Sequence, residues 1–254
     1  MGTREETIPV GAILAGGQGS RMLMAQGQKG LTPLLGQPLI NYTVGSMAAA
    51  GIGVIYVATW PENELLFEHL RSRWSSLHFE LVRVELGGGT GQAMLRVLVE
   101  SKPGPIVVGT ADTVMRTGAV TRLLEDISLT TPGPQLHLLV THYVEDEDPI
   151  WVHLHSSGLV TAFSKGIPPS STVFANVRWL SSAGRTTLLE LCSRHEALRA
   201  ARSSGELVRA LIADEYCRVT ASVEDPVFDI DRDIDALRTA EWIASNKQEW
   251  ERLP

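Results

Sequence analysis

Ile13-Leu14-Ala15-Gly16-Gly17-Gln18-Gly19-Ser20-Arg21-Met22 is followed at short range by Lys29-Gly30-Leu31-Thr32-Pro33-Leu34, and this segment sets the architecture of the chain. The apolar, β-branched run 8–14 reads as a buried strand. Three glycines then let the chain turn tightly with its N–H groups directed at a bound anion. Leu14, Ala15, Gly16, Gly17, Gly19 and Ser20 thus form a candidate phosphate cradle. Arg21 adds a planar multi-donor fork and Lys29 a mobile point charge, a pairing suited to a polyphosphate. The combination points to an enzyme acting on nucleoside triphosphates.

Other glycine-rich motifs fail on the letters. A Walker-type loop needs Gly-x4-Gly-Lys-Ser/Thr, but Lys29 follows Gln28 and precedes Gly30, and no lysine follows Gly87-Gly88-Gly89. The dinucleotide fingerprint wants a third glycine where Met22 stands, and no acidic residue closes a second strand about 20 residues on. A plain strand-to-helix turn would leave Arg21 and Lys29 without a role.

Outward from this stretch, short apolar runs alternate with helix-period segments, the pattern of a mostly parallel sheet covered by helices. Pro38 is placed to begin a helix with Leu39, Ile40, Val44 and Met47 inward, ending near Gly51, with a strand over 54–58. Residues 92–99 read as a helix, 106–109 as a strand, and Thr117 as the cap of a helix carrying Val120, Leu123, Leu124 and Ile127 inward. Ligands of such a sheet sit at the carboxyl ends of its strands, where the Gly-rich turn and Asp112 both fall. The middle third is a run of short strands, 136–141, 150–155, 159–163 and 172–180, with turns at 156–158 and 166–169, and reads as a hairpin-rich insertion. Residues 186–198 and 206–212 are helical, and Ile234, Leu237, Ala240 and Ile243 mark the inward face of a closing helix.

The chain has 254 residues, 44% of them apolar, enough for one large core. A net charge of −7 and a pI near 5.5 leave no electrostatic footprint for a nucleic-acid backbone. Residues 1–6 lack the features of a signal peptide, and the apolar stretch 44–58 is too short and Gly-rich to span a bilayer, so a cytoplasmic protein is expected. Cys192 and Cys217 have no metal or redox spacing and read as buried or semi-buried thiols.

The opening motif, together with Lys29, Leu31, Pro33, Leu34, Gly36, Pro38 and Leu39 in register, resembles the nucleotidyltransferases of the sugar-nucleotide and molybdenum-cofactor type. Gly89-Thr90-Gly91-Gln92-Ala93-Met94 looks like their base-recognition turn. The segment 106–112, ending in Asp112, looks like their metal-binding strand end, and Phe228-Asp229-Ile230-Asp231 with Asp235-Ala236-Leu237 resembles their closing motif. The resemblance implies an α/β fold, a Rossmann-like three-layer α/β/α arrangement of the GT-A type with a mixed, mostly parallel sheet. A β-hairpin-rich acceptor region at about 141–185 belongs to it, all in one domain over 1–254. It implies attack by an acceptor phosphate oxygen on the α-phosphorus of a nucleoside triphosphate, with pyrophosphate leaving in line. Arg21 and Lys29 would neutralise growing charge, and Gly89 and Thr90 would meet the nucleotide. Asp112 and Asp231 would hold Mg²⁺, and Lys165 and Asn176 would face the acceptor.

The residues leave several alternatives open. Asp112 could cap the following segment, Asp229 rivals Asp231 on the same strand face, Thr90 could simply stabilise its turn, and Lys165 could be a solvated hairpin lysine. The family's Gly-Asp-x-Pro is here Ala111-Asp112-Thr113-Val114, and its Asn-x-Gly acceptor motif is Ala175-Asn176-Val177. The leading expectation is a Mg²⁺-dependent enzyme joining a nucleoside triphosphate to a sugar 1-phosphate or similar phosphorylated small molecule, without nucleic-acid or membrane partners and with a homo-oligomer permitted. The alternatives are guanylyl or cytidylyl transfer to molybdopterin, and a nucleotide- or sugar-phosphate-binding module without turnover. His142, His153 and His155 lack a fourth zinc ligand at usual spacing. The acidic run 145–148 reads as an exposed turn, and Trp151 and Trp179 as core or interface residues.

Overall fold

The computed structural model describes residues 8–17, 19–25, 28–61, 63–127, 133–144, 149–166 and 170–251. Strand β1 (Val10–Leu14) leads through 3₁₀ turns at Leu23–Ala25 and Lys29–Leu31 into β2 (Pro33–Leu34), β3 (Gln37–Pro38) and α1 (Ile40–Ala49). Next come β4 (Val54–Thr59), α2 (Glu64–Arg73), β5 (His78–Arg83), α3 (Gly89–Glu100), β6 (Ile106–Thr110), β7 (Thr113–Val114) and α4 (Ala119–Glu125). The middle holds β8 (Gln135–Thr141), β9 (Trp151–Leu154), β10 (Val160–Ser164) and β11 (Val173–Leu180). After these lie α5 (Ser182–Arg194), α6 (Glu196–Arg199), α7 (Ser204–Ala213), β12 (Arg218–Val223), β13 (Phe228–Asp229), α8 (Asp233–Ser245) and α9 (Lys247–Glu251).

The main sheet runs β12-β8-β11-β6-β1-β4-β5, with the β9–β10 hairpin joined to the start of β11. Its pairings are parallel except those of β11, antiparallel to both β6 and β8, and those of the hairpin. Alternation along each strand sends side chains to opposite faces. Ala12, Leu14, Ile106, Val108, Leu136 and Leu138 join a core roofed by α3, α5 and α7. Ile13, Val107, Leu139 and Trp179 join one roofed by α1, α2 and α4. Burial on both faces explains why these strands read as continuous apolar runs rather than alternating ones. The result is the expected three-layer α/β arrangement. Among the described residues no helix is long and apolar enough to cross a membrane.

Several local expectations are corrected. β1 begins at Val10, leaving Ile8 exposed. Pro38 does not open the helix: Leu35 and Gly36 both take positive φ, closing a β2–β3 hairpin, and α1 starts at Ile40. Gly118, not Thr117, stands at the N-cap of α4, with no side-chain cap. The middle third is no insertion, because β8 and β11 are integral to the main sheet and only β9–β10 forms a separate hairpin. The 186–198 helix breaks at His195 into α5 and α6. On α8 the inward residues are Ala236, Thr239 and Ile243, while Ile234 and Leu237 are 42% and 56% exposed. The acidic run 145–148 and positions 167–169 of the expected turn lie outside the described residues.

Candidate active site

Beyond the carboxyl end of β1 the chain turns through Gly16, Gly17 and Gly19, and Gly19 has φ +69°, a left-handed conformation that favours glycine. A Cβ there would also meet Ala25 at 2.7 Å. Gly17, Ser20 and Arg21 face solvent. The 3₁₀ turn at Lys29–Leu31 then carries the lysine inward, and Lys29 is only 8% exposed.

Its ammonium donates to two carboxylates, Asp112 Oδ2 in a very short contact and Asp231 Oδ1 at 2.6 Å. Arg21 Nη2 donates to the other oxygen of Asp231 at 2.8 Å. Two features bring these distant segments together. β13 pairs antiparallel with β7, and the Ile230 N–H donates to the Asp112 carbonyl at 3.2 Å. Phe228 is clasped edge-on by Tyr143 and Trp242, with ring centroids at 4.5 and 5.5 Å.

The first turn of α8 finishes the arrangement. Asp235 Oδ2 accepts from the backbone N–H groups of Asp231 and Arg232, and the Asp233 carboxylate accepts from those of Leu23 and Met24. Both carboxylates sit at a helix N-terminus, where negative charge is favoured. Asp233 thereby ties the Gly-rich loop to α8, a role the sequence reading missed; its only sequence signal was the acidic helix start.

Burial pulls the Lys29 pKa down, but Asp112, Asp229 and Asp231 outweigh it and hold the ammonium charged well above the ordinary lysine range. Burial pushes the Asp231 carboxyl up, and Lys29 with Arg21 overcomes that and holds it below its usual value. Asp229 adds to the negative field around Lys29, and its Oδ2 accepts from Asn176 Nδ2 at 2.9 Å.

The remaining sequence candidates separate from this cluster. The Thr90 hydroxyl accepts from the Ser204 N–H at 3.0 Å, and Gln92 Nε2 donates to the carbonyls of Arg199 and Ala201. Gly89, with φ +81°, lies so close to the Arg202 carbonyl that a Cβ would come within 2.2 Å of it. The Gly-rich turn is thus sealed onto segment 199–204, which sequence reasoning overlooked although Ser203 and Glu206 form a capping box. Lys165 is exposed just past β10. Asn176 is turned onto Asp229.

Beside Asp229 lies a groove lined by Tyr143, Phe174, Phe228, Thr141, Thr239 and Asp235. Among the described residues no lysine or arginine lines it.

The sequence profile of the MobA-like NTP transferase domain matches residues 11–158, from β1 through the Gly-rich turns and Asp112. The chain belongs to the MobA-like NTP transferase family. It is accordingly a nucleotidyltransferase. The part of the family match that carries the Gly-rich turn, Lys29 and Asp112 stops well before Asp231, which the fold alone returns to Lys29.

Solved structures extend the likeness of fold over nearly the whole chain. The inositol-1-phosphate CTP transferase from T. maritima superposes with a TM-score of 0.78 at 14% identity, covering 95% of this chain and 97% of that one. A Bacillus anthracis protein described as a glucose-1-phosphate thymidylyltransferase gives 0.75 at 19% identity, covering 92% and 94%. No curated protein matches the chain in sequence.

Proposed function

We propose that this NTP transferase is Mg²⁺-dependent and moves a nucleoside monophosphate from a nucleoside triphosphate to a phosphorylated polyol of the sugar 1-phosphate class, releasing pyrophosphate. The observation that carries the reading is the meeting of Asp112 and Asp231 on one cation, the Lys29 ammonium. Carboxylate oxygens from two segments that converge on one positive charge suit a hard divalent ion, so the donor set fits Mg²⁺. When bound there, Mg²⁺ supplies charge neutralisation at the phosphates. Lys29 and Arg21 hold the phosphate oxygens that gain charge as pyrophosphate leaves, and the Gly-rich turn positions the triphosphate for in-line attack.

The groove supports the acceptor class. Its acidic residue Asp229 and its aromatic lining, with no lysine or arginine among the described lining residues, suit a neutral hydroxylated body better than a second anionic group on the acceptor. The inositol and glucose 1-phosphates in the names of the two structural neighbours have that character. Transfer to molybdopterin is a second reading, favoured by the opening Ala15-Gly16-Gly17.

The test is pyrophosphate release with each NTP against sugar 1-phosphates, inositol 1-phosphate and molybdopterin, in Mg²⁺ and in EDTA. Release with a hydroxylated monophosphate is expected. It should vanish in EDTA and fall roughly 10²-fold or more in Asp112→Asn, the scale of losing one charge-stabilising group. Turnover with molybdopterin alone would establish the second reading, EDTA-resistant turnover would overturn the metal, and binding without turnover would leave a binding module.

A further inference from the structure

Lys29 occupies the place between Asp112 and Asp231 that the proposed function gives to a metal ion. Its side chain is 9% exposed, so water does little to weaken the pairing. Asp112 Oδ2 and Asp231 Oδ1 are both engaged by the ammonium, and Arg21 takes the outer Asp231 oxygen. A divalent cation arriving alone must therefore share its oxygens with a charged lysine at contact distance, beside an arginine. Like charges at contact distance around a lysine side chain only 9% exposed repel.

A triphosphate changes the balance. The lysine stem runs beneath the phosphate cradle: a Cβ on Gly19 would touch Lys29 Cβ at 3.0 Å, and one on Gly17 would stand 4.0 Å from Lys29 Cδ. Phosphate oxygens on that turn lie within reach of a rotated lysine and can accept the ammonium as it leaves the carboxylates. The incoming charge of the metal is then matched by that of the polyphosphate.

We propose that Lys29 is an internal counter-ion that keeps the metal site closed in the free protein, so that the divalent ion binds only together with a polyphosphate that takes over the ammonium. The proposal rests on the reading of Asp112 and Asp231 given above. It makes nucleotide and metal binding one coupled event and keeps the free enzyme from collecting divalent ions.

Mn²⁺, followed by its free electron paramagnetic resonance signal and by water proton relaxation of the bound ion, tests this without turnover. Wild-type protein should bind Mn²⁺ alone at least tenfold more weakly than Lys29→Gln or Lys29→Met does. It should gain tight binding when a nucleoside triphosphate or inorganic tripolyphosphate is added. Asp112→Asn in the Lys29→Gln background should lose the gain. Wild type binding Mn²⁺ alone as tightly as the Lys29 variants overturns the proposal. So do variants that stay as weak as wild type while the wild-type complex with nucleotide holds the ion; the catalytic reading survives both results. Absence of bound Mn²⁺ in every state overturns the two together. Circular dichroism checks the variants' folding. If neither folds, the wild type decides by proton relaxation of protein-bound Mn²⁺, read above a protein-free mixture of the ion with the same polyphosphate: affinity for the ion alone within tenfold of that with nucleotide overturns the proposal, and a larger gap in the protein-bound signal upholds it.

Discussion

Asn176 donates its side-chain amide to Asp229 Oδ2 at 2.9 Å from a backbone held at φ +58°. The asparagine stands in the irregular part of β11, where the register with β8 shifts between Phe174 and Arg178. Left-handed backbone costs an ordinary residue about 1–2 kcal/mol, less for asparagine, and nothing for glycine. Asn176→Gly and Asn176→Ala lose the same amide, but only alanine adds the backbone strain. Urea unfolding should show Asn176→Ala less stable than Asn176→Gly by about 1 kcal/mol. Equal stabilities would mean that the bulge relaxes when the amide is gone.

Gly89 and Gly87 have nearly the same backbone, φ +81° and +80°, and different surroundings. A Cβ on Gly87 enters open space, whereas one on Gly89 runs into the Arg202 carbonyl at 2.2 Å. Both alanine variants should pay the left-handed cost of about 1–2 kcal/mol. Gly89→Ala should lose about 1–3 kcal/mol more, the scale of overpacking against backbone, together with nucleotide affinity as segment 199–204 is pushed from the turn. Matching losses in chemical denaturation would show that the segment yields freely.

His137 is buried between two hydroxyls, with Nδ1 2.7 Å from Thr220 Oγ1 and Nε2 3.0 Å from Ser222 Oγ. Burial pushes its pKa down to about 4, against a weaker upward pull from Asp126. Between an unfolded value near 6.5 and that folded value, the unfolded chain binds more protons, so stability rises with pH there and falls as the solution is acidified. The full loss over this window is about 3 kcal/mol. His137→Gln keeps a hydrogen-bonding side chain and does not titrate. The wild-type minus variant stability should therefore drop between pH 6.5 and 4; a flat difference would place no titration at His137.

The parts of the fold and site that were legible are the parts built by neighbours in sequence. The Gly-rich turn and Lys29 lie within one local stretch, and Asp112 follows directly on an apolar strand. The rest depends on partners far along the chain. Ile234 and Leu237 have good helical spacing for a core face, yet Asp233 and Asp235 are tied to the backbone of Leu23, Met24, Asp231 and Arg232, which turns that face outward. β12 escaped notice because Thr220 and Ser222 look solvent-directed but serve His137. The aim of the Asn176 amide depends on a backbone irregularity that no periodicity reports.

Arg178 is a site where a buried charge is expected to oppose folding. It is fully buried in β11, stacked on Phe174 with 4.9 Å from guanidinium carbon to ring centroid. Its polar partners are weak: the Met94 sulfur at 3.9 Å and the Asn176 carbonyl at 3.4 Å, with Nε unpartnered. Burial pulls its pKa down to about 9, so it remains charged at neutral pH in an apolar core. A buried charge without a carboxylate opposes folding, and an unbranched apolar chain of similar reach fills the same space. Arg178→Met should therefore be more stable than wild type by about 1–3 kcal/mol, the range seen when buried charges give way to apolar side chains. Thermal and urea unfolding measure this directly. A loss of stability instead would show that the ring stacking and the sulfur and carbonyl contacts outweigh the desolvation of the guanidinium.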